Sequence, residues 1–454
     1  MSVATPPSVA RGLAPARLDH GIDLATLAGT LCELGRVARI EDLGRNGPLL
    51  ASATPDSLFH CLFGRDSVRM AMDLLEDFPA LARVTLLELA RLQGVRRNPR
   101  SEEEPGRILH EHRRRGDRNR IKDWSFPYYG SVDSTPQWIN LLWAYCTRHG
   151  GGILDELIVN RRGRRVSLRH SLRSALGWLL GRLDDPAGAG FLWVRRCGPW
   201  GLANQVWEDS GDAYYHADGV IFDFTRPYAP VAAQGYAYDA LLAAADLLED
   251  RPGPAAPRRL RERAADLRAR VLSSFWQPDL GTFAPALTIE ADGATRAARV
   301  PASSPGHLLA SGLLDGLEAE PFREQLIVRL TRDDFVCGAG LRTKASTAPR
   351  FAPGSYHNGS SWPMDTGVIA DGLRRHGRHA LADDLEARIL RACVAAGGFP
   401  EFFRGDEDGG LRVNTVTLDA LVHGVVLRLE QPPQAYQGWT ATRVWRILRR
   451  GHGR

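Results

Sequence analysis

An all-α ring of paired helices, an (α/α)6 toroid, is the fold class this sequence predicts. Three observations lead there. Apolar residues recur at three- and four-residue steps over most of the chain, the period of an amphipathic helix. Polar, aromatic-flanked motifs sit before apolar helices at six places: GRDS at Asp66, GSVDSTP at Asp133, AAQGY at Gln234, SSPGH at Gly306, HNGSSWPMD at Asp365, and FPEFFRG leading to Asn414. Each gap between them has room for one further, plainer helix. In such a toroid the six motif-led helices form the inner ring. Their N-termini meet at one mouth, where unsatisfied N–H groups favour hydroxyl or anionic ligands.

The elements follow in order. Residues 1–20, rich in Pro and Ala, read as a frayed arm, leaving 21–454 as one toroidal domain. SVRMAMDLLEDF and TLLELARLQGV form the first pair of helices, QWINLLWAYCTRHG and SLRHSLRSALGWLLGRL the second. AYDALLAAADLLED and RRLRERAADLRARVLSSFW follow, and LADDLEARILRACVAAG comes late in the chain. Gly, Pro, Asp, Ser and Thr punctuate the gaps as caps and stops. Strand-like alternation is short and weak, as in GTFAPALTIEA.

Composition narrows the class. The 454 residues are 44% hydrophobic and 24% charged, ordinary for a globular enzyme. No apolar run reaches the ~18 residues of a membrane-spanning helix, and the first residues lack a charged start followed by an apolar core. The six cysteines are scattered without a CxxC pair, which reads as reduced thiols in the cytoplasm rather than a zinc site. The net charge of +5 comes almost wholly from arginine, Lys122 and Lys344 being the lysines. The basic runs EHRRRGDRNRIK and RVWRILRRGHGR carry few interleaved aromatics, so no nucleic-acid partner is expected. Nor is a membrane partner. HEH lacks the HExxH spacing, so no metal is expected either.

NQVWEDSGDA crowds Glu208, Asp209 and Asp212 beside Trp207, where an aromatic neighbour and like charges both hinder ionisation. Far along the chain, GGFPEFF surrounds Glu401 with three phenylalanines, an expensive place for a carboxylate unless it is paired or used. Arg65 and Asp66 suit a clamp on neighbouring hydroxyls, one donating and one accepting. Asp133 reads as a wall of the same site or an N-cap. Among Glu104, His110 and Glu111, the last is the candidate for ligand contact. Gln234, His307, His357, Asn358 and Trp362 offer amides, imidazoles and an indole, about half of them expected to be structural.

CLFGRDS, EEEPGRILHE, YYGSVDSTP, NQVWEDSGDA, AAQGYAYDAL, SSPGHLLASGL, SYHNGSSWPMD and GGFPEFF, in this order, resemble the motif series of bacterial amylo-α-1,6-glucosidase-like proteins. Those belong to the wider (α/α)6-barrel glycoside hydrolases that include glycogen debranching glucosidases, mannosylglycerate hydrolases, glucoamylases and trehalases. The resemblance implies an inverting glycosidase without cofactor, acting on an α-linked glucoside. It implies Asp209 as general acid by the debranching pattern, with Glu208 the alternative by the glucoamylase-like one. It implies Glu401 as general base and Arg65, Asp66 and Asp133 as holders of the terminal sugar. Inversion needs a protonated and an ionised carboxyl roughly 6.5–9.5 Å apart. Only ~60 residues precede FGRDS, about half a typical domain, so a two-step debranching enzyme is not expected. A small anionic glycoside such as glucosyl- or mannosylglycerate is the alternative substrate. Rival readings from other classes are a sugar 2-epimerase using His307 and His357, or a carbohydrate-binding protein without activity.

Overall fold

The computed structural model describes residues 39–40, 49–113, 125–185, 189–198, 201–248, 253, 256–290, 292–406, 418–422, 425–429 and 433–451. Its α-helices are α1 Gly64–Leu74, α2 Pro79–Arg91, α3 Ser134–His149, α4 Leu168–Leu183 and α5 Val231–Leu247. They continue with α6 Pro257–Ser274, α7 Glu320–Leu330, α8 Pro363–Arg375, α9 His379–Ala396 and α10 Gly438–Gly451. Local chemistry sets many of the ends. Pro79, Pro257 and Pro363 open their helices, where a missing N–H costs nothing. Ser167 caps α4 by accepting from the His170 N–H, and Gly397 ends α9 in the left-handed conformation.

Burial separates two kinds of helix. α6 buries Leu260, Ala264, Leu267 and Val271, a single stripe at steps of four, three and four, and is charged elsewhere. α5 buries Val231 to Ala245 almost all round, including Gln234. The buried kind forms a ring. α1 packs on α3, α3 on α5, α5 on the 3-10 stretch Ser304–Ala310, that stretch on α8, α8 on α10, and α10 back on α1. Outside it, α2 packs on α1 and α3, α4 on α3 and α5, α6 on α5, α7 on the 3-10 stretch, and α9 on α8 and α10. The all-α toroid expected from the motif spacing is therefore the fold. Short hairpins decorate it, including a three-stranded sheet of Thr295–Ala297, Ala286–Ile289 and Tyr228–Pro230 built on the GTFAPALTIEA segment.

Two ring members differ from expectation. SSPGH leads a 3-10 turn rather than an α-helix, because Ser311 and Gly312 interrupt it after seven residues. Its backbone lies tight on α7 and α8, and a Cβ on Gly306 would stand 2.8 Å from side-chain carbons of Leu330 and Ile369. Asn414 lies outside the described residues, as does the arm at 1–20. The segment after Asn414 is a hairpin, Leu418–Val422 with Val425–Leu429, rather than a helix. Its valine- and leucine-rich composition suits a strand. The sixth ring member is instead α10, which begins at QGWT.

The basic tail is consumed internally. Arg443 joins Asp73 of α1 to Asp371 of α8, and Arg446 and Arg450 also reach Asp371. Among the described residues no helix is long and apolar enough to cross a membrane.

Candidate active site

α1 and α3 deliver the first part of the site. Gly64 packs so closely on the Leu109 carbonyl that a Cβ there would overlap it. That contact brings Arg65 and Asp66, in the first turn of α1, under the start of α3, where both are buried. Asp133 stands at the N-cap position of α3, yet its carboxylate does not cap. It accepts from Ser131 Oγ at 2.6 Å and pairs with Arg65 Nη1 at 3.3 Å, while Ser131 Oγ takes the Ser134 N–H.

The acid-rich loop 204–213 reaches the same place. Arg65 Nη2 lies 3.4 Å from Asp209 Oδ2, so one guanidinium bridges Asp133 and Asp209. Asp209 keeps 26% of its side-chain surface exposed, whereas Asp66, Asp133 and Glu401 are at or below 5%. Burial of its surroundings pushes the Asp209 carboxyl up to about 7; Arg65 opposes the rise, and Asp66 and Asp133 add to it. Burial also raises Asp66.

Glu401 arrives on a loop without regular structure between α9 and the hairpin. Its backbone N–H donates to Gln434 O, and Tyr356 Oη donates to its Oε1 at 2.7 Å. Burial pushes its carboxyl up to about 7; the Tyr356 hydroxyl opposes, and the charges of Asp209 and Asp66 add. Asp209, Asp66 and Glu401 therefore sense one field, and Tyr356 senses all three. Asp209 and Glu401 bond to different partners, Arg65 for the one and Tyr356 for the other. Asp66, Asp133 and Asp209 gather around one guanidinium here, with Glu401 in the same field as Asp66 and Asp209, and no group of three ligand-type side chains among the described residues is arranged to hold a metal ion.

The residues flanking Asp209 are engaged elsewhere, which corrects several sequence expectations. Glu208 is fully buried, with Oε1 on Lys344 Nζ at 2.7 Å and Oε2 accepting from Tyr214 Oη at 2.8 Å. Neither oxygen remains for a sugar or for acid catalysis. Gln234 is a clamp: its amide donates to Leu192 O and Pro230 O and accepts from Leu192 N. His307 uses Nδ1 on Tyr236 Oη and Nε2 on Asp365 at 2.7 Å, and its face is covered by Trp207. It has no nitrogen for substrate, nor for an epimerase acid–base pair. Trp362 donates to Tyr356 O and stacks between His357 and Phe402, a packing role.

His357 Nδ1 accepts from Ser210 N and meets Ser210 Oγ at 2.9 Å; burial and Lys344 push its pKa well below the usual value, so it is neutral. Asn358 donates to the Asp212 carboxylate at 2.9 Å. Glu111 pairs with Arg113 and takes the Cys61 thiol. Glu104 pairs with Arg182 and Trp178, away from this cluster. It lines a separate cavity of about 980 Å3 along α4, to which Asp66, Asp133, Asp209 and Glu401 do not contribute. The catalytic chemistry argues for the acidic cluster, since the other cavity offers no convergent acid pair.

Three groups went unnoticed in the sequence. Tyr356 reveals its role only through its bond to Glu401, and Lys344 through its bond to Glu208. Trp439, at the start of α10, is packed with Trp207 and Trp362. The indole nitrogens of Trp207 and Trp439 are buried without an acceptor, as donors awaiting a ligand hydroxyl would be.

The arrangement resembles known proteins. The family model described as mannosylglycerate hydrolase MGH1-like glycoside hydrolase domain matches residues 203–417. None of the curated proteins matches the chain. Among solved structures, the mannosylglycerate hydrolase of glycoside hydrolase family 63 from Thermus thermophilus superposes with a TM-score of 0.61 in complex with Tris. With Tris and D-glycerate bound the TM-score is 0.63; in both cases identity is 16%, covering 93% of this chain and 100% of that one. The same enzyme in complex with glucose gives 0.59 at 15% identity, covering 93% and 99%. Likeness at that identity is a likeness of fold.

Proposed function

From the match of residues 203–417 to the model of an MGH1-like glycoside hydrolase domain, we propose that the chain hydrolyses the α-glycoside of a small organic acid with inversion at the anomeric carbon. The sugar is glucose or mannose and the acid resembles glycerate. The pairing of Asp209 with Glu401 in one buried field carries this reading, each carboxyl being displaced to about 7. At neutral pH two such groups share a proton, and the productive form has it on Asp209. Asp209 gives that proton to the leaving glycosidic oxygen as the C1–O bond breaks. A water attacks C1 from the opposite face and loses its proton to Glu401, which leaves the sugar as its β-anomer. Arg65, Asp66 and Asp133 hold the terminal ring, with Trp207 and Trp439 donating to its hydroxyls.

The family model and the complexes of the Thermus enzyme with D-glycerate and glucose support the substrate class. They lend no specific support to the α-1,6-glucan substrate implied by the debranching motifs. Among the described residues no two cysteines are joined in a disulfide, which supports action in the cytoplasm.

The test is hydrolysis of α-glucosyl- and α-mannosylglycerate, isomaltose and trehalose followed by proton NMR. The expected first product is the β-anomer; an α-anomer appearing first would overturn the mechanism. Asp209→Asn is expected to lose about 10²–10⁴-fold on these substrates and much less on a glycosyl fluoride, whose leaving group needs no proton. Glu401→Gln is expected to abolish both.

A further inference from the structure

The segment 343–362, between the Gly340–Leu341 strand and α8, contains no helix and no named strand, yet it touches both catalytic loops. Three consecutive residues divide the work. Tyr356 Oη donates to Glu401 Oε1 at 2.7 Å. His357 Nδ1 accepts from the N–H of Ser210, the residue after Asp209. Asn358 Nδ2 donates to the main chain of Asp212 at 3.2 Å and to its carboxylate at 2.9 Å. Lys344 adds a fourth tie, reaching Glu208 at 2.7 Å and His357 O at 3.2 Å. On the other side, Ser361 and Phe403 exchange both backbone hydrogen bonds, at 2.8 and 2.9 Å, beside Glu401. Gly405 N–H donates to Pro353 O, and Arg342 Nε donates to Gly405 O.

We propose that this segment is a caliper that fixes the separation of the acid and base loops, with Tyr356, His357, Asn358 and Lys344 as its positioning residues. The inference rests on the acid and base assignment above and names what holds that pair apart. The physical need is plain. Residues 208, 210 and 212 are each tied to the segment while Asp209 between them is not, so the acid stands on a loop pinned on both sides. The base loop has no helix of its own to hold it: the exchanges just named tie it to the segment, and Glu401 N–H on Gln434 O, Gln437 N–H on Phe399 O and Thr440 Oγ on Pro400 O tie it to the first turn of α10 and the chain leading into it. Inversion depends on a gap that admits one water, so a displacement of about 1 Å at either loop costs turnover of about 10²-fold.

The test uses Asn358→Ala, Asp212→Ala, the double variant and Tyr356→Phe in the full chain. It compares an α-glycoside of an unactivated alcohol with the glycosyl fluoride. Asn358→Ala is expected to lower kcat about 10²-fold on the unactivated glycoside, with KM nearly unchanged and far less loss on the fluoride, because it disturbs the acid. Asp212→Ala should match it, and the double variant should be no worse than either. Tyr356→Phe should lower both substrates alike and move the acidic limb of the kcat/KM profile to higher pH. Should Asn358→Ala fail to fold, His357→Gln gives the same readout. Losses that multiply in the double variant, or that fall equally on both substrates for Asn358→Ala, would overturn the caliper. If Asp209→Asn turns over the unactivated glycoside at the wild-type rate, the acid assignment has failed instead.

Discussion

Asp209 and Glu401 are held where an ionised carboxylate is unwelcome, and their cost to the fold is readable in pH. Glu401 loses its proton near 7 in the folded chain but in the ordinary carboxylate range when unfolded. Between roughly pH 4.5 and 7 the folded state therefore binds the extra proton, so stability falls as pH rises through that window. Glu401→Gln removes the penalty. Urea unfolding at pH 8 should show the variant more stable than wild type by up to about 3 kcal/mol, with the gain gone at pH 4. Equal stability at both values would mean that the glutamate is not held in a dry site. Glu208 shows the opposite treatment in the acid loop, one position from Asp209. It is buried deeper still, but Lys344 and Tyr214 occupy both oxygens, so neither is left to face a substrate.

The helices show where neighbouring charge replaces apolar contact. α10 is bound to α8 and α1 through Arg443, which is 3% exposed between Asp371 and Asp73. Burial works to raise the Asp371 carboxyl, yet three arginines of α10 overcome it and hold the group far below the usual range. Arg443→Ala leaves the buried Asp73 and the part-buried Asp371 short of a partner. It should cost about 3–5 kcal/mol in denaturant unfolding, whereas Arg449→Ala, which removes a 57%-exposed side chain from its pair with Asp77, should cost about 1 kcal/mol or less. The helical period was legible because it repeats every few residues, whereas the contrast between the striped α6 and the buried α5 emerged only from their packing. The 3-10 turn at Ser304–Ala310 was not, because Pro305, Gly306 and the break at Gly312 override a short apolar run.

At the scale of the whole molecule, α10 is the closing member of the ring. It packs on both α1 and α8, and brings Trp439, Val444, Ile447 and Leu448 into the core. A chain ended before Gly438 should therefore lose its cooperative thermal transition, followed by circular dichroism, rather than fray at one end. A retained sharp transition would show that five ring members suffice.

What the sequence by itself determined was the alternation of polar-led and plain helices, and hence the toroid, together with the two acidic loops as candidates for the chemistry. Those signals are local: a period, or a carboxylate beside an indole. Only the tertiary structure decided which acid stays open, since Glu208 is closed by a lysine 136 positions away. It also decided that Gln234, His307 and Trp362 brace the site rather than line it, and which helix closes the ring. A side chain's partner is set by packing between distant segments, and no window along the chain contains both halves of that contact.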